Sequence, residues 1–285
     1  MKIKPLFFVI TMLLTSHAAR SENNGTDVNS LTTLGEIQPS LLLNAATTSP
    51  PHWTHEEQVE WGAIEDTTKT DAPFMYPYAE CSIGQHQSPV DLSVQVASKK
   101  LNTLQVQYLK DKPDFFNSGH AVQVNSSAGY KGELKIGNDI YPLIQYHFHA
   151  PSEHVIGNKT FPAELHFVHI RDDGRIAVLG VLLEEGKSNP ALQDILDHVP
   201  VDAATHNKTS GIEINPKSLL PKSVSHFYTY AGSLTTPPCS EGVSWYVLAE
   251  PVTISADQLS KLESLYKENA RDPQALNGRV VTGKK

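Results

Sequence analysis

Positive charge is scarce in this chain of 285 residues. Lysine and arginine together number 23 against 31 aspartates and glutamates, so the formal net charge is -8. This balance gives no electrostatic basis for binding nucleic acid or an anionic membrane surface. Cysteine is scarcer still, with only Cys81 and Cys239, and the lack of a C-x-x-C spacing argues against a zinc site built on thiolates.

Long apolar runs are also missing, apart from one at the amino terminus. Residues 1–19 combine a basic start, an apolar run over 6–14 and small residues at Ala18 and Ala19, which predicts a secretory signal peptide. The run is too short to span a bilayer and no cysteine follows it for lipid attachment, so we expect no membrane span in the mature chain. The protein is therefore predicted to be periplasmic or secreted.

Internal repeats are absent, and so is a second linker. Residues 20–51 are rich in Ser, Thr, Asn and Pro and contain no aromatic residue, which predicts a flexible lead segment. Residues 52–285 have the length of one large domain, and we expect the function to reside there.

The chain does contain many segments in which apolar and polar residues alternate, as in half-buried strands. The predicted strands cover 90–96, 122–126, 132–136, 140–149, 164–170 and 175–183, and the predicted helices cover 189–199 and 255–269. Many strands and few helices predict a mainly β (α+β) fold with helices on the surface of a sheet.

Histidine is abundant, and three histidines fall into a pattern across two of these strands. Gln145, His147 and His149 share one strand face, as do Glu164 and His166 on the other strand. A single His-x-His pair is weak support for a metal, but two such strands folded together could aim three imidazoles at one point. Three neutral histidines form a known ligand set for catalytic zinc, and the preceding Gln and Glu suit acceptors for the other ring nitrogens.

Residues 145–154 (QYHFHAPSEH), 163–169 (AELHFVH) and 233–245 (SLTTPPCSEGVSW) resemble three sequence blocks of the α-class carbonic anhydrases, in family order. The resemblance extends from about Trp53 to Arg279 and is greatest to exported bacterial members. It implies one large twisted, mostly antiparallel sheet with a few surface helices. It also implies a lyase that hydrates CO2 reversibly to bicarbonate and a proton by attack of a zinc-bound hydroxide. Bacterial relatives are often dimers, so the resemblance allows a homodimer, although the sequence identifies no interface.

The resemblance assigns a role to several single residues. His147, His149 and His166 are the implied zinc ligands. His120 would be the proton shuttle, although taken alone it would be interpreted as a surface-loop histidine. His169 lies three residues after His166 and so points to the opposite strand face, away from the metal.

The remaining implied roles concern the hydroxide and the substrate. Thr235 would orient the hydroxide by donating a hydrogen bond to an ionised Glu153, and Thr236 would contact substrate with it. Five apolar residues would form the wall beside CO2, although each taken alone is equally typical of ordinary core: Val168, Val178, Leu234, Val243 and Trp245.

Two further features follow from the comparison with the family. Cys81 and Cys239 match the bridge of bacterial relatives, and pairing is the simple interpretation in an exported chain. His55 stands where relatives usually place a tyrosine that orders the water chain, which puts the efficiency of proton transfer in question. The segment 67–79 is longer than usual, and His154 is expected to be structural.

Two other functions fit parts of the pattern. A non-catalytic member of the same fold would act as a binding module, but such members typically lose a zinc histidine and this chain retains all three. A zinc hydrolase of the metallo-β-lactamase type usually has the pattern H-x-H-x-D-H, whereas here Pro151 and Ser152 occupy its last two positions.

Overall fold

In a computed structural model of the protein, the described residues are 50–93, 95–96, 101–266 and 268–284. The predicted signal peptide and nearly all of the predicted lead segment lie outside them, so both stay predictions. Within the described ranges, no helix has the length and apolar character that crossing a membrane requires.

Twelve strands and three short α-helices form the regular structure of these residues. The strands are β1 (Gln95–Val96), β2 (Leu104–Gln107), β3 (Asp114–Asn117), β4 (Val122–Asn125), β5 (Glu133–Ile136), β6 (Asp139–His149), β7 (Ala163–Ile170), β8 (Ile176–Glu185), β9 (Thr205–Asn207), β10 (Phe227–Ser233), β11 (Glu241–Ile254) and β12 (Val281–Lys284). The helices are α1 (Glu80–Ile83), α2 (Pro190–His198) and α3 (Ala256–Leu265), and 3-10 segments span His55–Ala63 and Pro216–Leu219.

All twelve described strands join one sheet. Its main path runs β1-β12-β10-β11-β8-β7-β6-β4-β3-β9, and β2 joins it through β5, which pairs with β6. Neighbouring strands are antiparallel except for the parallel pairs β1/β12 and β8/β11. The predicted mainly β fold with one large, mostly antiparallel sheet is confirmed.

The central pair β6/β7 carries the polar strand face that the sequence singled out. His147 is the register partner of His166, and His149 is the partner of Glu164. β7 has a neighbouring strand on each edge and is buried on both faces, because an apolar cluster packs on each face. Leu165 belongs to the larger apolar cluster on one face, while Val168 belongs to a smaller cluster on the other. The face that holds the histidines is thus bordered by apolar residues.

The two longer helices begin where the sequence predicted. Asn189 precedes α2, and its side-chain oxygen accepts hydrogen bonds from the first turn. Ser255 and Gln258 form a capping box at the start of α3. The predicted end at 269 is wrong: α3 stops at Leu265, and the extended Tyr266 leads the chain to the end of β6, where the backbone N–H of Asn269 donates to a carbonyl.

The predicted strand over 90–96 is also wrong in extent, since β1 contains only Gln95–Val96. Asp91 makes an isolated bridge to Val155, and Leu92 N donates to the carbonyl of the same valine. This stretch therefore pairs with the loop between β6 and β7 rather than continuing a long strand.

A disulfide joins two distant parts of the chain. Cys81 in α1 bonds to Cys239 across a sequence separation of 158 residues, which confirms the predicted pairing. The bridge is buried against Trp53, Trp61 and Tyr78. It therefore attaches the amino-terminal segment of the domain to the turn before β11.

Candidate metal centre and pocket

Three imidazoles converge where β6 and β7 lie side by side. His147 and His166 face each other across the two strands, and His149 follows two residues later on the same face of β6. One nitrogen from each ring lies within 4.8 Å of the others, and the ring centroids are 4.6 to 5.3 Å apart. We call these three residues the ligand cluster.

Two of the three rings are held by the polar residues predicted to support them. His147 Nδ1 lies 2.9 Å from Gln145 Oε1, and His166 Nε2 lies 2.9 Å from Glu164 Oε1. Each contact occupies one ring nitrogen and leaves the other available to a metal. The acceptors therefore fix the tautomer and the direction of both rings.

The third ring is held by a residue that the sequence analysis missed. His149 Nδ1 lies 2.7 Å from the backbone carbonyl of Asn269, a residue 120 positions later in the chain. The buried Asn269 side chain also accepts from Ala150 N and donates to the carbonyls of His120 and Phe148. No periodic signal marks this residue, because its role depends on the chain path after α3.

The ligand cluster fits a zinc ion. His149 Nε2 is buried and has no hydrogen-bond partner, an arrangement that costs free energy unless another group occupies that nitrogen. Burial lowers the pKa of His149 to about 4 and also lowers the pKa values of His147 and His166, so all three rings are neutral at pH 7. Neutral imidazoles are the form that binds a metal, and three of them leave a fourth zinc position open.

Two other buried histidines have both ring nitrogens occupied. His154 Nδ1 lies 2.7 Å from Glu164 Oε1, and its Nε2 lies 2.7 Å from the Tyr230 hydroxyl. His169 contacts a tyrosine hydroxyl and a backbone carbonyl. Protein groups thus engage both nitrogens of each ring. That neither residue is a metal ligand stays a prediction, and His154 also lies in a second group of possible ligands with Glu164 and His166.

Glu153 lies beneath the ligand cluster and is 1% exposed. Its Oε1 accepts a hydrogen bond of 3.0 Å from Arg271 N, and its Oε2 is 3.8 Å from His166 Nδ1. Burial raises the pKa of this carboxyl to about 7, against the lowering effects of His166, the Arg271 N–H and the Thr235 hydroxyl. Thr235 is near enough for that electrostatic effect, yet Oε2 has no hydrogen bond of ordinary geometry.

Arg271 is a second residue that the sequence analysis missed. Its buried guanidinium donates to Gln87 Oε1 at 2.8 Å and to the carbonyls of Ser88 and Cys81, each at 2.9 Å. Burial lowers its pKa to about 10, which the nearby Glu153 opposes, so it stays charged at neutral pH. Arg271 thus connects the disulfide region to the carboxylate beneath the ligand cluster.

A cavity of about 260 Å³ opens above the ligand cluster. Four of the five predicted wall residues line its apolar side: Val168, Val178, Leu234 and Trp245. The fifth, Val243, packs in the same apolar cluster but does not line the cavity. Polar residues from several elements also line the cavity: His55, Ser118, His120, Gln123, Gln145, Thr235 and Thr236.

We give the name mouth cluster to four ring residues: Trp53, His55 and His120, which line the cavity, and His52, whose ring centroid is 6.2 Å from that of His120. The His120 ring stacks on Trp53 with centroids 4.0 Å apart and an interplanar angle of 12°. Burial lowers the pKa of His120, and the neighbouring His52 lowers it further.

His55 is the inner member of the mouth cluster. Its ring centroid is 6.3 Å from that of His120, and its buried Nε2 has no hydrogen-bond partner. Burial lowers the pKa of His55 to about 3, with smaller effects from His149 and His120. The ring is therefore neutral at pH 7 and offers one donor and one acceptor, as a tyrosine hydroxyl would.

The sequence and the fold both match known proteins. A family model described as "Eukaryotic-type carbonic anhydrase" matches residues 72–285. A carbonic anhydrase of Pectobacterium carotovorum is 36% identical over 248 residues, covering 85% of this chain and 95% of that protein. One from Neisseria gonorrhoeae is 38% identical over 251 residues, with coverages of 87% and 97%. The solved α-carbonic anhydrase of Thermovibrio ammonificans, in complex with the inhibitor sulfanilamide, is 40% identical with a TM-score of 0.69, and the match covers 72% of this chain and 90% of that one.

Proposed function

This chain belongs to the eukaryotic-type carbonic anhydrase family and is an enzyme of CO2 hydration, and we propose that it works with zinc held by its ligand cluster. One observation carries the proposal. Three neutral imidazoles present free nitrogens to one point, while the other nitrogen of each contacts an acceptor. When bound, zinc makes water acidic enough to supply a hydroxide nucleophile near neutral pH, a chemistry for which carbonic anhydrase is itself the standard example.

Thr235 and Glu153 orient the nucleophile in this proposal. Thr235 lines the cavity, and its hydroxyl is near enough to Glu153 to lower the pKa of that carboxyl. By donating its hydrogen to the Glu153 carboxylate, the hydroxyl keeps its own oxygen free to accept a hydrogen bond from the nucleophile. Burial raises the pKa of Glu153 to about 7, and the Arg271 N–H on Oε1 opposes this by favouring the ionised carboxylate that the arrangement needs.

The apolar side of the cavity holds CO2. The substrate is small and apolar, so Val168, Val178 and Leu234 provide a place from which water is excluded. Trp245 closes the same side, and its Nε1 donates to the Ser233 carbonyl at 3.0 Å, which fixes the indole. Thr236 lies on the same turn as Thr235 and would contact the product anion.

His120 carries protons between the cavity and solvent. It lies in the cavity lining, half-buried, and can reach both environments. Its lowered pKa means that a proton taken onto a ring nitrogen is readily released at neutral pH. The residue would thus act as a general base during hydration and as a general acid in the reverse direction.

We also propose that the enzyme is exported to the periplasm or beyond the cell. The Cys81–Cys239 bridge supports this, because structural disulfides persist in oxidising compartments. A homodimer stays a prediction that rests on the resemblance to bacterial relatives.

The direct test is stopped-flow CO2 hydration by the purified mature chain beside His147→Ala, with zinc content measured on both. We expect hydration and one zinc per chain in the parent, and a loss of activity on the order of 10³-fold or more together with zinc loss in the variant. His226→Ala, which removes an exposed histidine just before β10, is the matched control and should behave as the parent. Stoichiometric zinc without hydration would contradict the proposal.

A further inference from the structure

A chain of side-chain hydrogen bonds leads from the cavity across β4, β3 and β9. Gln123, which lines the cavity, donates from its Nε2 to Asn125 Oδ1 at 2.6 Å. Asn125 Nδ2 in turn donates to Asp114 Oδ2 at 3.2 Å, and His206 Nδ1 lies 2.7 Å from the same carboxylate oxygen. We call these four residues the polar row. The row begins at the cavity and ends at a half-buried histidine.

Strand register holds the polar row together. Gln123 and Asn125 share one face of β4, and Asn125 is the register partner of Asp114 on β3. Phe116 is the register partner of Gln123 on one side and of His206 on the other. Its ring lines the cavity and stacks on the His206 ring, with centroids 4.0 Å apart and an interplanar angle of 13°. The row is therefore a fixed part of the sheet beside the cavity.

The Asp114 carboxylate determines which way each amide of the polar row faces. A carboxylate can only accept hydrogen bonds, so Asn125 presents its NH2 group to Asp114 and its oxygen to Gln123. Gln123 then gives its own NH2 group to Asn125. The amide oxygen of Gln123 is the polar group left for the cavity.

The second amide of the cavity lining, Gln145, is fixed with the opposite polarity. Its oxygen contacts His147 Nδ1, so its NH2 group is the one left for the cavity. A metal ligand thus orients Gln145, whereas Asp114 orients Gln123. An amide oxygen is the negative end of the amide dipole and repels an anion, whereas an NH2 group would donate a hydrogen bond to it.

We propose that Asp114 is a positioning residue that keeps the Gln123 oxygen toward the cavity and so weakens the binding of anions there, including the bicarbonate product. The role in anion binding rests on the proposed function. Asp114 does not line the cavity itself and acts through Asn125 and Gln123. Weak anion binding favours release of the product after hydration.

The first test measures nitrate inhibition of CO2 hydration by the parent, Asp114→Ala and Asp114→Asn. The alanine variant lacks the acceptor, so both amides of the row can turn over, and nitrate affinity should rise about three- to ten-fold. Asp114→Asn retains an oxygen for the two donors and should behave as the parent. Asp194→Asn, at an exposed position of α2, is the matched control for the loss of a negative charge.

A second variant interrupts the polar row at a different residue. Asn125→Leu removes the acceptor of the Gln123 NH2 group and leaves Asp114 in place, so nitrate affinity should rise as in Asp114→Ala. Nitrate affinity equal to that of the parent in both variants would overturn the inference. So would an equal rise in Asp114→Asn and Asp114→Ala, because charge rather than amide orientation would then be the cause.

The third measurement follows the Gln123 side-chain NH2 protons by NMR and needs no catalytic activity. Their exchange with water should be several-fold faster in Asp114→Ala than in the parent and in Asp114→Asn, because the hydrogen bond to Asn125 is no longer enforced. Unchanged exchange in Asp114→Ala would overturn the inference. A parent without CO2 hydration would overturn the proposed function and the role in anion binding, while the exchange rates would still decide whether Asp114 orients Gln123.

Discussion

The ligand cluster and the mouth cluster each contain three histidines, yet the protein holds the two sets in different ways. The ligand cluster stands on paired strands, and each ring has one nitrogen fixed by an acceptor. The mouth cluster stands on the amino-terminal segment and on the loop before β4, and its rings rest against one another and Trp53.

The difference matches what each set of rings would have to do. A metal site needs its ligands placed within a few tenths of an ångström, which strand register and hydrogen bonds provide. A relay needs rings that can release a proton and reorient, which stacking permits and a full set of hydrogen bonds would not. Substitutions that remove the contacts of one cluster should therefore affect that cluster and leave the other unchanged.

The largest expected effect comes from the disulfide, which secures the region of the mouth cluster. Cys81→Ser with Cys239→Ser releases a link across 158 residues, and we expect the free energy of unfolding to fall by about 2–5 kcal/mol. Urea denaturation of the parent and of the double variant measures this difference.

The same variant distinguishes the two clusters. Zinc affinity should stay within a few-fold of the parent, because no ligand or acceptor of the ligand cluster is a cysteine. A fall in zinc affinity as large as the fall in stability would show that the two clusters are not held independently.

The next effect concerns the ligand cluster itself. Glu164 Oε1 contacts both His154 and His166, and its Oε2 accepts the backbone N–H groups of Glu153 and His154. Glu164→Gln replaces the carboxylate that orients His166 with an amide, which carries N–H donors of its own. We therefore expect zinc affinity, measured by chelator competition, to fall about 10–100-fold. Glu133→Gln, on the partly exposed β5, is the matched control. An unchanged zinc affinity in Glu164→Gln would contradict the account of the ligand cluster.

The smallest effect is a shift in pH dependence at the mouth cluster. His120 must be neutral to accept a proton during hydration, and its pKa lies below the ordinary value of 6.5 because of burial and His52. The neutral form therefore persists to lower pH, and the rising limb of kcat should have its midpoint below pH 6.5. His120→Ala should lower kcat at low buffer and remove this limb. A midpoint above pH 6.5 would contradict the burial of His120.

The sequence predicted which residues form the ligand cluster better than it predicted the contacts that hold them in place. Because strand geometry has a period of two residues, alternation put His147 and His149 on one face of their strand and His166 on the same face as Glu164 in the next. The structure adds the register, in which His147 is the partner of His166. Asn269 and Arg271 escaped prediction because their partners lie more than 100 positions away. Their roles depend on how the chain leaves α3, and the helix was itself predicted four residues too long.

The mouth cluster, too, could be predicted only in part from the sequence. His55 and His120 were singled out through the family resemblance, while the stacking of His120 on Trp53 has no sequence signal. Aromatic contacts between a loop and the segment that precedes a 3-10 helix follow from tertiary packing rather than from periodicity. The sheet was therefore predictable in outline, and the ring arrangement at the mouth was not.

The central claim is that the three histidines of the ligand cluster hold zinc and leave one position open. X-ray absorption at the zinc edge of the purified chain tests it directly. We expect three imidazole nitrogens at about 2.0–2.1 Å and one further light ligand that is not an imidazole. A fourth imidazole, or sulfur at about 2.3 Å, would contradict the claim.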